Sequence, residues 1–204
     1  LTVLGYSVAA ALTAGLGVVP QAVNGVLPRR MMGWSTALAA GLMLGVAYSL
    51  LDQGLGDALW QGGAGALVGL AVVHLAHMGT GTEDLDLQRT EEHDPAYGYQ
   101  VVLVSSLHAA YEGVAIGAAM LLSLPFGISM AVTLAVHNVP EAMLLTAVVR
   151  GRGMSLPGAT LLAVATNLNQ VLLALVTFAL GQAVPALLPW AVGFGAGALL
   201  QLLL

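Results

Sequence analysis

Seven runs of apolar residues, at about 2–27, 34–51, 58–78, 99–123, 127–149, 155–181 and 185–204, follow one another with short polar breaks between most of them. Each is long enough, at roughly 20 residues per crossing, to span a bilayer as a helix. None alternates polar and apolar residues in the segments of roughly 10 that a membrane barrel requires. Only 7% of the residues are charged and the mean hydropathy is +0.90, whereas soluble domains carry about a quarter charged residues. The expectation is an all-α integral membrane protein: one polytopic helix bundle over residues 1–204, with a flexible loop at 79–97. The first run is too long for a signal peptide. The start at Leu1 and the uncapped "GALLQLLL" at the end suggest a trimmed chain that lacks a last helix.

The five basic residues are all arginines: Arg29 and Arg30 after the first run, Arg89 after the third, Arg150 and Arg152 after the fifth. If the chain alternates sides, these connections share one face of the membrane, and the connections on the other face hold no Lys or Arg. The positive-inside rule places the arginines in the cytoplasm and residue 1 outside. The polar stretch "GTGTEDLDLQRTEEHDPAYG" is then cytoplasmic and holds six of the ten carboxylates. Its composition is that of a solvated loop, and a metal-sensing role would rest on His93 alone.

Two more carboxylates, Asp52 and Asp57, flank an outer loop, which leaves Glu112 and Glu141 in mid-span. An acidic side chain at a helix centre costs on the order of 2.5–3.5 kcal/mol by insertion scales. Each has a histidine four residues before it: "HAAYEG" contains His108 and Glu112, and "HNVPEA" contains His137 and Glu141. Four residues advance a helix by about 400°, so each pair shares one face, a turn apart. A short connection near 124–126 makes the two helices antiparallel neighbours, and facing one another they bring two imidazoles and two carboxylates to one point. That set suits a divalent transition metal, zinc first, with cadmium, iron or manganese compatible. A single His/Glu pair could simply be a hydrogen-bonded helix contact; two pairs that include every intramembrane acid are harder to explain that way.

Pro140, between His137 and Glu141, denies a hydrogen bond to the Val136 carbonyl, leaving either a kink or an extra ligand. Asn138 lies about 60° from Glu141 and could bind or orient a metal. In the sixth run, "ATNLNQVLL" carries Asn167, Asn169 and Gln170. Such amides often only join membrane helices, but Gln170 is the one expected to face the site. His74 and His77, near the cytoplasmic end of the third run, could receive a departing ion or simply face water.

These residues resemble the ZIP (Zrt-, Irt-like) family of divalent metal transporters. The likeness rests on "HAAYEGVAIGAAM" and "HNVPEAM", and more weakly on "TAGLGVVP", "AAGLMLGVAYSLL" and "GFGAGALL". It implies eight helices, with helices 1–3 and 6–8 forming an inverted repeat around helices 4 and 5, and a single transport domain. It implies His108, Glu112, His137 and Glu141 as primary ligands, and import toward the cytoplasm, as a homodimer. Ala109 stands where the family often has Asn, Asn138 where two-metal members have Asp, and Gln170 where they have Glu. These departures remove charge and imply one strong site with a second one weak or empty.

The expected function is transport of zinc or a similar divalent cation through this mid-membrane site, with the bilayer and the ion as partners, no catalytic cofactor, and a bacterial inner-membrane location. A membrane metal hydrolase or a permanent structural metal is the competing reading. The His-Glu-x-x-His signature is absent, as are a Ser/His/Asp set and a nucleotide loop, so an enzyme is not expected. With a net charge of −5 and no basic patch, neither is nucleic-acid binding. The chain has no cysteine, which excludes disulfides and thiolate metal sites and leaves introduced cysteines as clean topology probes. A membrane-impermeant maleimide on intact cells should label Gln53→Cys, and should reach Arg89→Cys only after permeabilisation; the reverse pattern would invert the topology.

Overall fold

A computed structural model describes residues 1–25, 27–54, 56, 58–82 and 95–203, and among these every regular element is a helix. The first span is composite: α1 (Thr2–Thr13), a 3-10 stretch (Ala14–Val18) and α2 (Val19–Asn24). It is followed by α3 (Arg29–Gly54), α4 (Leu59–Thr80), α5 (Pro95–Leu122) and α6 (Leu124–Gly151). The sixth span is α7 (Leu156–Thr166) followed by α8 (Leu168–Ala183), and a 3-10 turn (Pro185–Leu187) leads into α9 (Leu188–Gln201). Seven helical stretches thus fall where the apolar runs predict them. Six are long and apolar enough to cross a membrane, and the last, Pro185–Gln201, is shorter. The 79–97 connection is narrower than expected, because α4 runs to Thr80 and α5 starts at Pro95. Arg89 and His93 lie outside the described residues.

Local chemistry sets the helix starts and breaks. Ser123 alone joins α5 to α6; its hydroxyl accepts from the Phe126 amide at 3.3 Å, and Pro125 sits in the first turn. The same Ser-Leu-Pro pattern opens α7, where Ser155 accepts from Gly158 at 3.2 Å. Both are N-caps followed by a proline whose missing N–H costs nothing there. The first span loosens around Gly15, Gly17 and Pro20, the last of which offers no N–H to the Leu16 carbonyl. The sixth span breaks at Asn167, whose amide nitrogen Nδ2 takes the Ala163 carbonyl at 2.9 Å, a local bond that competes with the helix ladder. Pro140, by contrast, leaves α6 continuous.

α5 and α6 are the most buried spans. α5 packs chiefly on α8, α6 on the first span and α3, and α4 on α9. Leu50, Ile116, Leu134 and Leu199 are fully buried between them. The outer surface is apolar, with Leu38, Leu67 and Leu161 more than half exposed, the pattern of a lipid-facing surface. At one end of the bundle, Gln100 Nε2 donates to the Gly81 carbonyl at 2.9 Å and the Arg152 guanidinium lies 5.0 Å from the centre of the Tyr97 ring. The end of α4, the start of α5 and the end of α6 therefore share a face, as the arginine pattern requires.

Lipid tails give helices no hydrophobic reason to associate, so close contact between small residues does that work. A Cβ placed on Gly193 would strike the Gly62 carbonyl of α4, and one on Gly197 the Ala66 carbonyl. Gly63, on the same α4, has open space around its missing Cβ. Gly197→Leu should lower stability by about 1–3 kcal/mol, the usual range for overpacking, and Gly63→Leu should change it little. Thermal unfolding of the two variants in detergent checks the difference.

Candidate metal centre

The one-residue turn at Ser123 makes α5 and α6 antiparallel neighbours, so His137 comes level with Glu112, and Glu141 level with His108. His137 Nε2 lies 3.0 Å from Glu112 Oε1 and 3.9 Å from Glu141 Oε2, and His108 Nδ1 lies 3.8 Å from Glu141 Oε1. Ligand atoms of Glu112, His137 and Glu141 all fall within 4.8 Å of one another. Ligands placed tetrahedrally about 2.0–2.2 Å from a zinc ion stand about 3.3 Å apart, so little movement would close this set on an ion. His108 stands at its edge, in reach of Glu141.

The protonation pattern points the same way. His137 Nδ1 lies 3.1 Å from the Ala39 carbonyl of α3. A carbonyl can only accept, so Nδ1 donates to it and Nε2 is the ring nitrogen turned toward Glu112. Glu112 is completely buried and His137 almost so. No hydrogen bond satisfies His137 Nε2 or Glu112 Oε1, and both Glu141 oxygens and His108 Nε2 are likewise buried without a partner. His137 Nε2 and Glu112 Oε1, 3.0 Å apart, are matched when either a proton or a cation lies between them. A proton on Nε2 would settle that pair and leave Glu141 unmatched, whereas a dication neutralises both carboxylates.

The amides behave differently from the four ionisable residues. Asn138 Nδ2 donates to the Ala10 carbonyl of α1 at 2.9 Å and to Gln170 Oε1 at 3.1 Å, and Gln170 Nε2 donates to Glu112 Oε2 at 3.2 Å. Gln170 reaches the cluster through a bond to a carboxylate. The close packing of Gly113 on the Gln170 backbone brings α8 near enough for this. Asn169 Nδ2 donates to Ser106 Oγ at 2.8 Å, a plain α8–α5 contact, and Asn167 serves the helix break. The Ala135 carbonyl, one residue before the Val136 carbonyl that Pro140 frees, accepts from Thr13 Oγ1 at 2.7 Å.

Of the two α4 histidines, His74 is exposed, while His77 is half-buried and stacks on His108, with ring centres 6.1 Å apart and planes 8° from parallel. The partners that sequence reasoning missed are the Ala10 and Ala39 carbonyls and the Thr13 hydroxyl. Backbone oxygens leave no mark in a sequence, and a threonine in an apolar helix is unremarkable there.

No protein-family model matches the chain. Over 208 aligned residues it is 29% identical to a protein of Arabidopsis thaliana named "Putative zinc transporter", and the alignment takes in the whole of this chain. The chain spans about a third of the length of that curated relative, 33%. This is an all-helical integral membrane protein, similar along its full length to a protein named for zinc transport, the class to which its two His/Glu motifs point.

Proposed function

We propose that the chain carries divalent transition-metal cations, zinc foremost, across the membrane toward its arginine-bearing, cytoplasmic face, through the cluster of Glu112, His137, Glu141 and His108. Cadmium, iron and manganese suit the same ligands. One observation carries this reading: ligand atoms of Glu112, His137 and Glu141, from two neighbouring spans, lie within 4.8 Å of one another, with Glu112 and His137 buried. The full-length similarity to a protein named for zinc transport agrees with it.

The antiparallel arrangement gives the ion an ordered path. α5 runs from the arginine face outward and α6 runs back, so Glu112 and His137 form the outer pair and His108 and Glu141 the inner pair. A hydrated ion arriving from outside exchanges water first for Glu112 and His137 and then for Glu141 and His108. Beyond them, His77, stacked on His108 in the last turn of α4, marks the way toward the arginine face. Access from alternate sides of such a midplane site is how carriers of this kind move their cargo. Asn138 and Gln170 border the site and complete its polar lining.

Purified protein in liposomes loaded with a fluorescent zinc indicator tests this directly. Wild-type vesicles should show saturable zinc and cadmium uptake, and Glu141→Ala should slow it at least about tenfold, since loss even of an outer partner to a metal ligand typically costs 10–100-fold. Uptake unaffected by Glu141→Ala would remove this site from the transport path. Tight, non-exchanging zinc without uptake would replace transport by a resident metal, structural or hydrolytic.

A further inference from the structure

We infer that Gln170 is a positioning residue for the ion site: through its amide it fixes Glu112 so that a single carboxylate oxygen faces the ion, and it does not itself bind the ion. The inference rests on the ion-binding part of the proposed function.

The argument starts from a group whose role is unambiguous. The Ala10 carbonyl oxygen only accepts, so the Asn138 atom 2.9 Å from it must be the donor, Nδ2. That settles which way the Asn138 amide points. The second hydrogen of Nδ2 reaches the neighbouring atom of Gln170 at 3.1 Å, which must then be the acceptor Oε1. The other end of the Gln170 amide is therefore the donor Nε2, and it meets Glu112 Oε2 at 3.2 Å. Four elements, α1, α6, α8 and α5, are linked by these hydrogen bonds: one anchors Asn138 to Ala10, and the other two run through Gln170 to the Glu112 carboxylate.

Two consequences separate the amides from the ligands. Glu112 Oε2 accepts from Gln170, and Oε1 is the oxygen turned toward His137 Nε2. Gln170 is fully buried, and it is the donor end of its amide, Nε2, that meets Glu112, while its oxygen is turned to Asn138. Asn138 differs, because its Oδ1 is buried without a partner. The residue type follows from the task. A glutamate at 170 could donate to Glu112 only when protonated, and ionised it would be a third negative charge beside Glu112 and Glu141. The amide donates without charge, which leaves two carboxylates to match a dication.

A double-mutant cycle on zinc affinity tests this, using the purified full chain in detergent micelles and a competing chelating indicator. Gln170→Met keeps the length of the side chain and removes both ends of the amide. It should weaken zinc binding about 10–100-fold while leaving helicity and metal-free thermal stability near wild type. In a Glu112→Ala background the same change should cost almost nothing further, because Gln170 acts through Glu112. If Gln170→Met does not fold, Asn138→Leu interrupts the chain one link earlier and should show the same dependence on Glu112. Equal costs in both backgrounds would make Gln170 a ligand or a general support, and an unchanged affinity in Gln170→Met would remove it from the site; either result overturns the inference. Zinc binding without uptake by the wild type would sink the transport reading and leave this one standing, whereas no zinc binding at all would sink both.

Discussion

The arrangement of this protein depends on keeping two carboxylates in the middle of a hydrocarbon-facing bundle. At a helix centre each one costs on the order of 2.5–3.5 kcal/mol, and Glu112 is completely buried. The helices that bear them are accordingly the two most enclosed, and their partners come from every side. Ala39 on α3 sets the tautomer of His137, Ala10 on α1 orients Asn138, and Gln170 on α8 holds Glu112. What these contacts leave over is a set of His and Glu ligand atoms brought within 4.8 Å of one another.

Much of this is legible in the chain itself, for identifiable reasons. A spacing of four residues places His108 with Glu112 and His137 with Glu141 on single faces whatever the detail of the helix, and so few polar residues in so apolar a background stand out. The span count is equally robust, because hydropathy over about 20 residues averages away local ambiguity. Ser123 and Ser155, each followed by Leu and Pro, announce helix starts through chemistry that acts within a single turn.

What escapes such a reading depends on a neighbouring backbone or on exact distance. The breaks at Ala14–Val18 and Asn167 sit inside runs that are apolar from end to end, so hydropathy passes over them. Gln170 is visible as a polar residue facing inward, but only its bond from Asn138 shows which end of its amide meets Glu112. His108 belongs to the cluster by spacing and still stands farther out than His137, because the facing of α5 and α6 brings Glu112 and His137 together more closely than the inner pair. Pro140 suggests a broken helix, yet α6 runs through it, with Thr13 taking up a carbonyl alongside.

The single residue between α5 and α6 has a mechanical meaning. A joint of one residue spans at most about 3.6 Å, too little to let one helix slide a full turn of about 5.4 Å past the other. The four His and Glu side chains therefore keep their relative heights whatever else the bundle does. The two helices behave like tweezers sewn together at Ser123, free to part only at the far end. Any opening between α5 and α6 is therefore confined to the end that carries Arg150.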